Sequence, residues 1–479
     1  MEDIVGFVLK FGAELGAEYV EARYQEDLSE STVLKNGVPE ISVAQRSRGV
    51  GIRVLYKRSL GFSSTNLLTK REISNSVKKA VKMAKATSKL LKKGVKLSNE
   101  RLCRGKVEVP QKIKLEDVDV ELRVEALKEA DGSAVEVAEK GGIKLPARII
   151  SLDTLSTEKL VVTSDGANVY SRIPRVALSL FLTAFHSQKG AIQRYSNLGE
   201  SSGWEAVEGW SLPDYFKEEA EALSKILLTA KSLKGRKTDL ILGPEVVGIV
   251  CHESSGHPAE ADRILGREAA QAGETYLKGE SLGMRVGSEM VNVVDDPTLD
   301  HSFGFYLYDD EGVKAERRFL IREGIINDFL HNRETAHVFG VRSNASSRAN
   351  AYNREPIVRM ANTFLQPGEY SFKELIEDIR DGVYINNFME WNIDDRRFNQ
   401  RYVGLEAYKI KDGELTHLIR NPVLEVTTVG LWSAIDAVGE DLEFQAAYCG
   451  KGDPMQGIPV WTGGPHIRLR GVRVGGSQA

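Results

Sequence analysis

The chain has 479 residues, 64 basic against 68 acidic side chains, a net charge of −4 and 42% hydrophobic residues. This balance excludes a broadly basic nucleic-acid or membrane-surface protein, and the apolar content is sufficient for sizeable cores without a disordered tract. Three scattered cysteines, Cys103, Cys251 and Cys449, exclude a disulfide framework, and no apolar run reaches the ~18–20 residues of a membrane span. The acidic start Met1-Glu2-Asp3-Ile4 lacks the basic residues of a signal peptide. The expectation is a cytoplasmic protein with no nucleic-acid or membrane partner.

Residues 3–16 carry Ile4, Phe7, Val8, Phe11 and Leu15 at helical spacing. Alternation from Tyr19 to Tyr24 predicts a strand, Asn36-Gly37 a hairpin turn, and Gly49–Tyr56 and Arg58–Ser64 further strands. A lysine-rich amphipathic helix is expected over 69–93, its charges forming a solvated face. The chain from 97 to 113 reads as a connecting loop, and 115–140 as a helix stopped by Gly141-Gly142. Strands follow at 147–157, 159–163 and 176–185, then a helix over 205–232. Lys234-Gly235-Arg236 reads as a linker. In the second half a strand at 238–242 leads through Gly243-Pro244 into an apolar helix, followed by a loop from 262 to 284. Strands are expected at 290–294, 302–308, 318–321 and 323–329, a helix at 371–381, a hairpin at 402–419 across Asp412-Gly413, and a strand at 466–474. The fold class is α+β in two domains: 1–235, a mixed α/β sheet domain, and 236–479, a β-rich domain carrying the helix that enters the site.

The chemistry concentrates at Cys251-His252-Glu253-Ser254-Ser255-Gly256-His257-Pro258-Ala259-Glu260-Ala261-Asp262, where two of the chain's eight histidines fall. The run Val246–Val250 delivers His252 and Glu253 into the interior. Histidine nitrogen and cysteine sulfur are zinc donors, and a catalytic zinc takes three protein ligands. His252 and His257 are five residues apart, not the four of His-Glu-x-x-His, and on an ideal helix five steps leave them roughly 140° apart. A π-type widening or a helix end at Gly256 would bring them together, and Pro258 is expected to push His257 out of the α region. Cys449, in the glycine-rich Ala447–Asp453 stretch, is the strongest third donor, with Lys451 favouring its thiolate. Cys251 points elsewhere on the helix. Glu253 would act as general base on water that zinc activates, and Glu260 and Asp262 would orient the imidazoles. The competing reading makes the histidines a chance pair and Cys449 a small buried hydrophobe. His301, His331, His337, His417 and His466 read as ordinary surface or hydrogen-bonded histidines.

With these residues in view, the sequence resembles the TldD/PmbA family of zinc peptidases. The core match is His252-Glu253-x-x-Gly256-His257-x-x-Glu260-x-Asp262. Asp309-Asp310-Glu311-Gly312, Pro356-x-x-Arg359-Met360-x-Asn362-Thr363, Cys449-Gly450 with Gly464-Pro465, Gly49–Val54 and Gly61–Thr65 are similar too, in the family's order along nearly the whole chain. The resemblance implies the metal-bearing, TldD-type member, with zinc held by His252, His257 and Cys449 and with Glu253 as base. It also implies a dimer, with an identical copy or a metal-less relative, enclosing a chamber that admits unstructured peptides as extended strands. Two other readings stand beside it: a binding or scaffold protein with a structural metal, and a metal-dependent amidohydrolase acting on small substrates.

Overall fold

Residues 1–91, 93–268 and 273–476 are described by the computed structural model. The tail of the helix expected over 69–93, part of the loop after Asp262 and the last residues of the second expected domain therefore lie partly outside the described residues.

Alternating apolar and polar side chains in the first half build strands longer than the sequence marks out. Tyr19–Lys35 and Val38–Tyr56 form one hairpin, turning at Asn36 (φ 52°) and Gly37 (φ 78°), the paired left-handed residues a tight hairpin requires. Lys144–Thr163 runs unbroken through Glu158, which stays in register opposite Glu26 and accepts a hydrogen bond from the Tyr170 hydroxyl at 2.7 Å. A seven-stranded sheet results, in the order Ser59–Thr65, Val38–Tyr56, Tyr19–Lys35, Lys144–Thr163, Asn168–His186, Arg104–Glu108, with Gly190–Glu200 also paired to Asn168–His186. The strand Arg104–Glu108 lies where a loop is expected, and Gly190–Glu200 has no counterpart in the sequence reading. Helices Glu2–Glu14 and Lys70–Thr87 cover one apolar core on this sheet. Helices Val120–Lys140 and Leu212–Thr229 cover a second. The helix expected over 205–232 is broken at Ser211, whose φ of 48° no α-helix accommodates.

The second half holds a nine-stranded sheet and a six-stranded one. The first runs Phe388–Ile393, Asn399–Gly404, Pro422–Thr427, Ile467–Gly476, Arg236–Leu242, Asp381–Ile385, Ala407–Lys411, Glu414–Leu418, with Ile435–Val438 joined to Ile467–Gly476. The second runs Ile325–Ile326, Arg318–Arg322, Val293–Asp295, Asn362–Leu365, Gln456–Gly464, Glu443–Lys451. The strand expected at 302–308 is instead a folded loop. Its polar groups are satisfied locally: Gly304 N–H donates to Asn362 Oδ1 at 3.1 Å, and Asn362 Nδ2 donates to Ser302 Oγ at 2.8 Å. Alternating α and β elements with largely antiparallel sheets make the chain α+β. Among the described residues no helix is long and apolar enough to cross a membrane.

Buried ion pairs tie the halves together. Arg53 donates to Glu21 and, at 2.6 Å, to Glu311, while Lys159 donates to Asp310 at 3.1 Å. Residues distant in sequence, Arg53 and Lys159 on one side and 310–311 on the other, thus meet through buried charge pairs that are costly to break.

The helix Pro244–Cys251 leaves the nine-stranded sheet directly after Arg236–Leu242 and lies on Gln456–Gly464 of the six-stranded one. Gly248 makes this approach possible: a Cβ there would stand 2.9 Å from Gly463 N and 3.0 Å from the Thr462 carbonyl carbon. Alanine gains about 1 kcal/mol of helix propensity over glycine, but overpacking against backbone that cannot swing aside costs about 1–3 kcal/mol. Gly248→Ala is therefore expected to lower stability by up to about 2 kcal/mol in thermal or denaturant unfolding, and a raised midpoint would contradict the packing described.

Candidate metal centre

The α-helical bond pattern stops at Cys251. From His252 to Gly256 the chain is a π turn, closed by His257 N–H donating to His252 O at 3.0 Å, an i to i+5 bond. One extra residue in the turn carries His257 round onto the face of His252, and the rings stand edge to face with centroids 4.8 Å apart. The widening expected from the spacing is present, but one of its expected causes is not. His257 keeps α-helical angles (φ −57°, ψ −44°), so Pro258 does not expel it. Pro258 acts through its missing N–H, which leaves the Ser254 carbonyl without an i+4 donor, and the Tyr276 hydroxyl donates to that oxygen at 3.2 Å. Gly256 is needed for space, since a Cβ there would lie 1.9 Å from Met360 Sδ.

Cys449 lies on the strand Glu443–Lys451 and not in a loop; the turn of its hairpin with Gln456–Gly464 comes after it. Strand alternation leaves Tyr448 exposed and turns the Cys449 sulfur inward. Arg359 locks both strands, donating to Gln456 O at 2.8 Å and to Cys449 O. Cys449 Sγ thereby comes to 3.4 Å from His257 Nε2. One donor atom from each of His252, His257 and Cys449 lies within 4.8 Å of the others, the one such group of three or more histidine, cysteine or carboxylate donors among the described residues. Cys251 is buried in the apolar core, its thiol pushed up by burial.

This donor set fits a metal ion. Ligand atoms at about 2.3 Å (sulfur) and 2.05 Å (nitrogen) from one tetrahedral zinc stand about 3.5 Å apart, close to the sulfur–nitrogen separation seen. Among the described residues His252 Nδ1 is buried and has no hydrogen-bond partner, as suits a nitrogen placed to ligate. Burial pushes both imidazoles below the ordinary histidine value, so each is in the neutral form that ligates. Burial would raise the Cys449 thiol, but its hydrogen bond with His257 and the Arg359 guanidinium outweigh it and hold the thiol below its ordinary value. Lys451 does not serve the thiolate as expected. Its Nζ lies 2.6 Å from Asp262 Oδ1 and 3.3 Å from Glu260 Oε2.

Glu260 and Asp262 separate accordingly. Glu260 Oε2 lies 3.0 Å from His257 Nδ1, fixing the ring so that Nε2 faces the sulfur, and Arg263 donates to the same oxygen at 3.2 Å. Burial works against the Glu260 charge, yet Lys451, His257 and Arg263 together hold its carboxyl well below the usual range. Asp262 orients no imidazole; it accepts from Lys451 and so holds the cation that Glu260 needs.

Glu253 is buried beside His252 and pairs with Arg397, a residue the sequence reading passes over. Both line a cleft of about 430 Å³ with His252, His257 and Cys449. Ala177, Ser179 and Asn197 of the first-half sheet form part of its wall, so the site is complete only when the two halves are together. No sequence signal marks Arg397. Arg359 and Met360 are marked by the resemblance without a role, which the hairpin lock and the Gly256 contact supply.

The description "PmbA/TldA metallopeptidase C-terminal domain" matches residues 235–476, its "domain 1" residues 20–84 and its "central domain" residues 113–231. A metalloprotease of Methanocaldococcus jannaschii is 31% identical over 94% of this chain and 96% of its own. A zinc metalloprotease TldD homolog of Saccharolobus solfataricus is 26% identical over 98% and 99%. A Thermotoga maritima crystal structure, described as a candidate modulator of a DNA gyrase, superposes with a TM-score of 0.78 at 19% identity over 99% of both chains, which shows the shared fold. The matched domains and the fold are those of a metallopeptidase family. The chain belongs to the TldD/PmbA metallopeptidase family.

Replacing Glu260 by glutamine removes the buried negative charge that Lys451 and Arg263 face, and is expected to cost about 3–5 kcal/mol of stability and to weaken metal binding about 10–100-fold. The contribution of Glu260 is present above the unfolded-state glutamate value of about 4.3 and is lost as pH falls through the depressed folded-state value. Wild type should therefore lose stability in acid more steeply than Glu260→Gln in pH-dependent unfolding.

Proposed function

We propose that the protein is a zinc-dependent peptidase that hydrolyses unstructured or extended peptides, with His252, His257 and Cys449 as metal ligands and Glu253 as general base. The observation that carries this reading is one cleft lined by all four side chains. Three protein donors leave a fourth position open, as a catalytic site requires, whereas a structural zinc takes four. The name of the Saccharolobus solfataricus relative supports zinc as the metal.

When bound, zinc supplies a Lewis acid that polarises the scissile carbonyl and lowers the pKa of water towards ~7. The chain's own residues do the rest. Glu260 keeps the His257 ring oriented. Glu253 takes the proton of the attacking water and returns it to the leaving nitrogen as the C–N bond breaks. Residues from both halves form the cleft wall and restrict access, so a flexible segment enters where a compact domain does not.

We further assign a dimer, with an identical copy or a metal-less relative closing the chamber, on the strength of the family resemblance. Three free cysteines suit a cytoplasmic location.

The test measures bound zinc and peptide hydrolysis together. Glu253→Ala is expected to keep zinc and lose about 10²–10⁴-fold in kcat. Cys449→Ala is expected to bind zinc far more weakly. Full activity in Glu253→Ala would remove the base, and undiminished zinc affinity in Cys449→Ala would remove that ligand. A folded domain cut as fast as a flexible peptide would overturn the substrate class.

A further inference from the structure

We infer that Arg397 is the positioning residue of Glu253: it holds one carboxylate oxygen so that the other performs the proton transfer. The inference rests on Glu253 being the base.

Arg397 sits at the tip of a hairpin formed by Phe388–Ile393 and Asn399–Gly404, at the edge of the nine-stranded sheet. Phe388 and Trp391 of the same hairpin line the cleft, so one element supplies both a wall and the contact to the base. Arg397 Nη1 pairs with Glu253 Oε2, and the two side chains are 10% and 7% exposed. A charge pair this far from water is weakly screened and strongly directional, unlike a surface salt bridge.

The tip is itself fastened. Arg397 has a φ of 60°, a left-handed conformation that a non-glycine side chain holds only where its surroundings compel it. The compulsion is visible in the contacts. Thr428 Oγ1 donates to Arg397 O at 2.9 Å, and Gln400 Nε2 donates to Thr428 Oγ1 at 2.8 Å. Asp394 Oδ1 accepts from Phe398 N–H at 2.7 Å on the other side of the turn. A strained, buried and pinned arginine aimed at one oxygen of a carboxylate in the cleft is a device for orientation.

The roles of the two oxygens follow. With Oε2 held by the guanidinium, Oε1 accepts the water proton and passes it to the leaving amine.

The experiment compares steady-state hydrolysis of a short fluorophore–quencher peptide by the zinc-loaded full chain and its variants, with zinc content and melting temperature recorded for each. Arg397→Gln is expected to lower kcat about 100-fold with KM changed less than about threefold and zinc retained, and Arg397→Lys to recover about tenfold of that loss. Thr428→Val, which loosens the tip without touching Glu253, is expected to lower kcat by a smaller factor. In a Glu253→Gln background, Arg397→Gln should cause no additional loss, because its effect passes through the carboxylate. Wild-type kcat in Arg397→Gln, an undiminished loss in the Glu253→Gln background, or a loss that follows zinc content or melting temperature and is not rescued by lysine would each overturn the inference. Wild-type kcat in Glu253→Gln alone would instead bring down the assignment of the base.

Discussion

His257 and Cys449 are 192 residues apart in the chain, and their donor atoms are 3.4 Å apart in the fold. Three constraints meet in that contact. The π turn must rotate His257 onto the face of His252, the hairpin must turn the Cys449 sulfur inward, and the helix must lie close enough on the sheet for the two to touch. Each is enforced by contacts outside the three donor side chains: Met360 against Gly256, Arg359 across the hairpin, Gly463 against Gly248. The centre is therefore a property of the whole second half and not of the helix that carries its recognisable motif.

Burial decides the electrostatics around it. The same desolvation that keeps both imidazoles neutral would also neutralise Glu260, and Lys451, Arg263 and His257 together prevent that. Asp262 then balances Lys451, so His257, Glu260, Lys451 and Asp262 form one continuous polar chain. Removing Glu260 takes a negative charge out of a region with little water and frees the ring orientation of His257. The ion pairs of Arg53 with Glu311 and of Lys159 with Asp310 join the second half to the sheet that also carries Ala177, Ser179 and Asn197.

Much of this was legible in the sequence because it depends on local rules. A five-residue spacing is incompatible with a regular helix, so the widening at 252–256 follows from counting, and Asn36-Gly37 dictates its own turn. What escaped depends on distant neighbours. Lys451 looked like a partner for Cys449 because they are two residues apart on one strand face, but its amine pairs with Asp262 and Glu260, carboxylates nearly two hundred residues earlier. The strand expected at 302–308 has the right composition, yet side chains far away in sequence take up its backbone groups: Asn362 accepts from Gly304 N–H, and Arg175 donates to Phe303 O and Phe305 O. Arg397 carries no local mark, since its meaning comes from a hairpin tip reaching Glu253 across 144 residues.

The central claim is that two imidazoles and one thiolate from opposite ends of the second half hold a single metal ion. X-ray absorption at the zinc edge of the loaded full-length protein tests it most directly. The account predicts one sulfur at about 2.3 Å with nitrogen or oxygen neighbours at about 2.0–2.1 Å, and imidazole scattering from two rings. A coordination sphere without sulfur, or with two sulfurs, would contradict it.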